Sequence, residues 1–181
     1  MWQAIGWIVG MQHRVHGIEN QVADGPRVIV VNHQSALDIP ATYASFGLLV
    51  WFLKPILIDR SNRNDSIHKL HDAAKIVKKD QVSVIIFPEG TRGDGKTGLL
   101  PFKRGAFHLA VEAQVPIQPV VIAPYSWLDI SNRVARGGIC DIFILPSIST
   151  IGMIASDVAL LTDNVRKKMS DVFMSSLPSN V

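Results

Sequence analysis

The fold of this chain is decided by residues 27–38, which read RVIVVNHQSALD. A continuous β-branched run such as residues 27–31 is typical of a strand that is buried on both faces of its sheet. Ser35 can cap a helix that starts directly behind this strand, with Asp38 in its first turn. The stretch therefore predicts a strand, a polar turn and a helix start, with polar side chains at the carboxyl end of the strand.

Strands and helices alternate along the rest of the chain. Apolar runs predict further buried strands at 82–87, 115–123 and 140–145. Apolar residues at helical spacing predict helices at 65–79, at 102–113 and from Ser156 or Asp157 onward. Three glycines within 92–98 predict a mobile loop. This alternation predicts an α/β protein, a single layered domain with a mixed or largely parallel sheet flanked by helices.

The composition favours apolar and anionic partners. Hydrophobic residues make up 48% of the 181 residues and charged residues 18%, whereas an ordinary soluble domain has about 25% charged residues. The net charge of +3 mildly favours anionic partners. The Lys and Arg residues are scattered without interleaved aromatic residues, so we expect no nucleic acid partner.

Two apolar stretches predict attachment to a membrane lipid surface. Residues 1–11 are apolar but too short to span a bilayer, and Lys54 and Pro55 interrupt the run at 41–58. The uninterrupted part, 41–53, has the length of an interfacial or buried segment. We favour a monotopic attachment, and the alternative is a core helix of a soluble domain.

The first chemical feature is a histidine followed by a carboxylate, His33 and Asp38. An Asp on one ring nitrogen fixes the tautomer, leaves the other nitrogen as a base and stabilises the imidazolium that forms. The alternative is structural, with Asp38 as the acidic member of a capping box that begins at Ser35. A serine hydrolase is disfavoured because the chain has no Gly-x-Ser-x-Gly elbow.

The second chemical feature is a glycine turn that ends in an arginine, FPEGTR at 87–92. Gly90 permits a positive φ and a close approach to the backbone. The Thr91 hydroxyl and backbone N–H groups can donate to an anion, and Arg92 can bind phosphate with two parallel hydrogen bonds. Because both chemical features follow buried strands, we expect them to meet at one edge of the sheet. The alternative is an ordinary turn with a solvated Arg.

Other polar residues are less specific. Lys103 and Arg104 are either solvated or bind phosphate or lipid headgroups. His68 and His71 are three residues apart on a predicted helix, but no further ligands complete a metal site, so we expect a solvated helix face and no metal. Cys140 lies in an apolar run and is expected to be a buried thiol.

Together these blocks resemble the glycerophospholipid acyltransferase family, and most closely its 1-acylglycerol-3-phosphate (lysophosphatidic acid) acyltransferase branch. The matching blocks are 32–38, with the spacing His-x4-Asp, then 58–60, 87–92 and 115–120, and the segment 100–108 is similar to that branch as well. The resemblance implies acyl transfer from acyl-CoA, as co-substrate without a further cofactor, to the sn-2 hydroxyl of lysophosphatidic acid, giving phosphatidic acid.

Site roles follow from this resemblance, position by position. It implies that His33 deprotonates the acceptor hydroxyl and that Asp38 orients His33. It implies an acceptor phosphate site shaped by Arg60, Glu89, Gly90, Thr91 and Arg92. It also implies a membrane location, commonly the endoplasmic reticulum in eukaryotes.

The chain departs from the family pattern in length. We expect residues 1–181 to form one acyltransferase domain that is shortened at the N-terminus and between residues 38 and 59. Two alternatives therefore stay open. One is a catalytically silent, membrane-associated form of the same family, and the other is an acyltransferase for glycerol 3-phosphate or another lysophospholipid.

Overall fold

A mixed five-stranded sheet forms the centre of the protein. The structure is a computed structural model, and it describes residues 10–22, 24–35, 37–38, 63–129 and 134–177. The strands lie in the order β1-β7-β4-β2-β3, and β5 and β6 form a separate antiparallel pair. The elements are β1 Met11–His16, β2 Val28–Val31, α1 Arg63–Asp80, β3 Val84–Ile86, α2 Gly105–Ala113, β4 Ile117–Ile122, β5 Leu128–Asp129, β6 Val134–Ala135, β7 Gly138–Ile144 and α3 Val158–Ser175. Short 3₁₀ turns lie at Ile18–Asn20 and Ala155–Asp157.

Strand β2 is the middle of the parallel part of this sheet. It pairs in parallel with β3 on one side and with β4 on the other, and all four of its residues are buried. β4 pairs antiparallel with β7, and β7 pairs in parallel with the edge strand β1. The carboxyl ends of β2, β3 and β4 therefore lie at the same edge of the sheet.

Side chains of β2 alternate between two apolar clusters because successive residues of a strand point to opposite faces. Val28 and Val30 belong to a cluster that contains the buried residues of α1, α2 and α3. Ile29 and Val31 belong to a second cluster with residues of β4 and β7 and with Trp127. The predicted α/β sheet with helices packed against it is confirmed.

The strands predicted at 82–87, 115–123 and 140–145 and the helices predicted at 65–79, at 102–113 and from Ser156 or Asp157 are present with shifted ends. The helix predicted to start behind β2 runs into residues that lie outside the described ranges. The helix predicted at 102–113 begins only at Gly105, because the Lys103 backbone N–H donates to the Pro88 carbonyl at 2.7 Å. The strand predicted at 115–123 begins at Ile117, because the Val115 N–H donates to the Ala110 carbonyl at the end of α2.

Strand β1 was missed because its residues 12–14 and 16 are polar. Its place at the sheet edge explains this composition: Arg14 forms a two-point ion pair with Asp141 of β7, and His16 bonds to the same carboxylate at 2.7 Å. The structure therefore places residues 11–16 in the sheet. Of the predicted surface segment 1–11, residues 1–9 lie outside the described residues, as does the segment 41–53. No helix in the described part of the chain is both long and apolar enough to cross a membrane.

The loop predicted at 92–98 is held by hydrogen bonds. Asp94 accepts from the N–H groups of Lys96 and Thr97 and from the Thr97 hydroxyl, and these three donors lower the pKa of its carboxyl to about 2. Gly93 donates its N–H to the His33 carbonyl at 2.7 Å. The glycines therefore lie in a hydrogen-bonded loop that contacts the backbone of His33, rather than in a free loop.

Helix α3 offers a matched test of the packing. Leu161 is 4% exposed within the helix-side cluster, whereas its neighbour Leu160 is 67% exposed. Because Leu→Ala at a buried site loses transfer energy and leaves a cavity, we expect Leu161→Ala to lower the free energy of unfolding by about 2–5 kcal/mol. Leu160→Ala should change it by no more than about 0.5 kcal/mol. Urea denaturation measures both, and equal losses would contradict the packing of α3 on the sheet.

Candidate active site

The chain leaves β2 through a fixed turn. Asn32 is buried, accepts the Ile122 N–H at 2.7 Å on Oδ1 and donates Nδ2 to the Ile122 carbonyl at 3.0 Å. Its amide thus extends the pairing between β2 and β4 by one step. Gln34 donates Nε2 to the Ala123 carbonyl at 2.8 Å, so the residues on either side of His33 are anchored to the end of β4.

His33 and Asp38 form the predicted pair. Their Nδ1 and Oδ2 atoms are 2.8 Å apart, the Asp38 side chain is fully buried and the His33 side chain is 20% exposed. The ring stacks on Phe87 with 4.3 Å between centroids. Because an ionised carboxylate only accepts hydrogen bonds, Nδ1 is assigned as the protonated nitrogen and Nε2 is left as an acceptor.

The same carboxylate also caps the turn. Asp38 Oδ2 accepts the N–H groups of Gln34 and Ser35 at 2.7 and 2.8 Å, and the Asp38 N–H donates to the Ser35 carbonyl. The structural and the chemical interpretations of Asp38 therefore hold together. The backbone bonds hold the Oδ2 atom in place, and this oxygen bonds to the His33 ring.

Glu89 joins the two sequence blocks. Its side chain is buried, Oε1 accepts the His33 N–H at 2.8 Å, and Oε2 accepts the Leu100 N–H at 2.9 Å. Burial raises the pKa of the Glu89 carboxyl, and the two backbone donors oppose that rise. The predicted meeting of the blocks is confirmed, and Glu89 takes part as a link between backbone segments with both oxygens occupied.

The glycine turn presents basic groups outward. Gly90 has a φ of 72° and donates its N–H to the Phe87 carbonyl, while Thr91 and Arg92 are exposed. The Lys103 side chain lies against Gly90, so a methyl group on residue 90 would come within 2.9 Å of Nζ. The Lys103 ammonium thus lies against the turn that carries Thr91 and Arg92. Arg60 lies outside the described residues.

Sequence reasoning missed Tyr125. Its hydroxyl donates to Asp38 Oδ1 at 2.7 Å, and burial raises the pKa of this phenol. The available signal was its position directly behind the strand predicted at 115–123. Cys140 lies beside the Tyr125 hydroxyl and is buried as predicted, and burial raises the pKa of its thiol to about 12.

Of the two helical histidines, only His71 has a described side chain. His71 is exposed and pairs with Glu112 of α2, while the side chain of His68 is not among those described. In the described ranges, no three His, Cys, Asp or Glu side chains are grouped so that they could hold a metal ion.

The chain is similar to proteins that are named acyltransferases. The family model "Acyltransferase" matches residues 41–123. The chain is 36% identical to 1-acyl-sn-glycerol-3-phosphate acyltransferase alpha of Mus musculus over 187 residues, covering 92% of this chain and 65% of that protein. It is 32% identical to 1-acyl-sn-glycerol-3-phosphate acyltransferase beta of Homo sapiens, covering 94% of this chain and 70% of that protein.

A solved structure supports the fold. The crystal structure of the 1-acyl-sn-glycerophosphate (LPA) acyltransferase PlsC from Thermotoga maritima matches with a TM-score of 0.73 at 23% identity, covering 98% of this chain and 78% of that one. The chain belongs to the 1-acyl-sn-glycerol-3-phosphate acyltransferase family. It spans just under two thirds of the length of the alpha relative.

The buried Glu89 gives a pH-dependent prediction. Since its pKa is raised on folding from the ordinary 4.5, its contribution to stability is fully present below that value and is lost as the pH rises through the folded value. We expect the free energy of unfolding of the wild type minus that of Glu89→Gln to fall as the pH rises above 4.5. Urea titrations of both proteins at a series of pH values measure it. A difference that rises with pH would contradict the burial of this carboxylate.

Proposed function

We propose that this chain transfers a fatty acyl group from acyl-CoA to the sn-2 hydroxyl of lysophosphatidic acid, giving phosphatidic acid. The observation that carries the proposal is the 2.8 Å bond from His33 Nδ1 to Asp38 Oδ2 beside the basic turn at 90–92. The names of the relatives support the same acceptor and product class.

His33 acts as the general base. Its Nε2 takes the proton of the acceptor hydroxyl while the hydroxyl oxygen attacks the thioester carbonyl carbon. The new C–O bond forms, the C–S bond breaks, and the imidazolium returns its proton to the leaving thiolate of coenzyme A. Asp38 stabilises the imidazolium in between. A base positioned in this way contributes on the order of 10²–10⁴ in rate.

The acceptor phosphate binds at the glycine turn. Arg92 supplies a planar fork of donors and Thr91 a hydroxyl, and both side chains are exposed where an anion can reach them. Lys103 adds a point charge because its side chain lies over Gly90. Gly90 contributes space and a turn, since its N–H already donates to Phe87. Arg60 is assigned to the same site by its sequence block.

The reaction takes place at a membrane surface, and in a eukaryotic cell at the endoplasmic reticulum. Both proposed substrates carry acyl chains that partition into a bilayer. The low share of charged residues, 18%, supports a protein that works beside apolar material.

Replacing the base tests the reaction. Incubated with lysophosphatidic acid and labelled acyl-CoA in vesicles, the wild type should form phosphatidic acid, and His33→Ala should lower kcat by about 10²–10⁴. His108→Ala, at an exposed histidine of α2, is the matched control and should leave kcat unchanged. Vesicle binding without turnover would identify the silent form. Faster turnover of glycerol 3-phosphate or of another lysophospholipid would identify a different acceptor.

Replacing the basic side chains tests the phosphate site. Arg92→Lys loses the two-point geometry, and Lys103→Ala loses a charge that is partly screened by water, so each should raise the KM for lysophosphatidic acid about three- to tenfold with little change in kcat. Lys96→Ala, at an exposed position of the 92–98 loop, serves as the control. Monoacylglycerol, which lacks the phosphate, should not distinguish the variants from the wild type. An unchanged KM in both variants would contradict this site.

A further inference from the structure

We propose that Tyr125 is a positioning residue of the dyad, which acts on His33 by holding Asp38. The inference rests on the proposed function, since it concerns the base of that reaction. The Tyr125 hydroxyl donates to Asp38 Oδ1 at 2.7 Å, on the oxygen opposite to the one that receives His33.

The donors are divided between the two carboxylate oxygens. Oδ2 receives His33 Nδ1 and the N–H groups of Gln34 and Ser35, whereas Oδ1 receives the Tyr125 hydroxyl. The terminal torsion of an Asp side chain is soft, so donors on a single oxygen do not fix the plane of the carboxylate. A donor on the second oxygen fixes that plane. The fixed carboxylate then limits the rotation of the His33 ring through the hydrogen bond between Nδ1 and Oδ2.

Tyr125 is itself rigidly held. Its ring packs against Trp127 with 5.3 Å between centroids, and its carbonyl accepts the Leu128 N–H. Trp127 in turn donates Nε1 to the Ile139 carbonyl of β7 at 3.2 Å. The hydroxyl is therefore held through Trp127 by β7. The 32–38 turn itself is anchored to the end of β4 through Asn32 and Gln34.

The tyrosine also remains a donor during the reaction. Burial raises the pKa of its phenol, and the neighbouring Asp38 charge raises it further. The phenol therefore keeps its proton at neutral pH. Proton transfer to His33 then meets a carboxylate whose second oxygen is already paired, so no water needs to reorganise around it when the imidazolium forms.

Removing the hydroxyl alone tests the proposal. Tyr125→Phe keeps the ring, and it should lower kcat about tenfold while the KM values for acyl-CoA and lysophosphatidic acid stay unchanged. Thr162→Val is the matched control, because it removes a buried hydroxyl that donates to the Val158 carbonyl of α3 at 2.7 Å. It should cost comparable stability and leave kcat unchanged. An unchanged kcat in Tyr125→Phe would overturn the proposal.

A double-mutant cycle separates positioning from general damage. If Tyr125 acts through Asp38, adding Tyr125→Phe to Asp38→Asn should lower kcat by less than twofold beyond Asp38→Asn alone. Two losses that multiply would show that Tyr125 acts elsewhere, and would overturn the proposal.

A readout without turnover keeps this inference distinct from the proposed function. With ¹⁵N-labelled histidine, the neutral His33 ring of the wild type should carry its proton on Nδ1 rather than on Nε2, and Tyr125→Phe should shift both signals toward the tautomer-averaged values of a free imidazole. If the wild type forms no phosphatidic acid but the shift occurs, the proposed function fails and the positioning role stands. Unchanged signals in Tyr125→Phe overturn the positioning role.

Discussion

The site depends on one buried carboxylate that is shared by two backbone segments. Glu89 accepts the N–H groups of His33 and Leu100, so the turn behind β2 cannot move without the turn behind β3. Burying a charge is costly unless it is hydrogen-bonded, and here each oxygen has a backbone donor. The Gly93 N–H completes the link by donating to the His33 carbonyl. Segments more than 50 residues apart in sequence thereby become one rigid edge of the sheet.

Asp38 shows how one residue can satisfy local structure and chemistry together. As a capping residue it accepts the backbone donors of Gln34 and Ser35, and as a member of the dyad it accepts the ring of His33. These are not competing uses, because the backbone donors are what hold the acceptor in place for the ring. Spacing alone left open a choice between a capping box and an oriented histidine, and in this fold Asp38 makes both sets of hydrogen bonds.

The sequence predicted much of this arrangement because its signals are local. A run of β-branched residues such as 28–31 indicates a strand that is buried on both faces. Helical spacing indicates the buried face of α3, which carries Val158, Leu161, Val165 and Met169. The edge strand β1 was missed because its polar residues find partners such as Asp141 that are distant in sequence. Tyr125 was missed for the same reason: its partner Asp38 is 87 residues away. Pairings of this kind depend on the order of strands in the sheet, which periodicity does not encode.

Charge is distributed across the site by depth, and this separation supports the proposed binding of an anion beside two carboxylates. Asp38 and Glu89 are buried, and the described polar partners of Asp38 and Glu89 are backbone amides, a histidine and a phenol. Arg92 and Lys103 are exposed on the outer side of the same turn. A phosphate that approaches from solvent therefore meets the cations first, while the negative charges behind it are already compensated by hydrogen bonds. In the proposed reaction, Asp38 can then serve the imidazolium and the outer cations the phosphate, without exchanging partners.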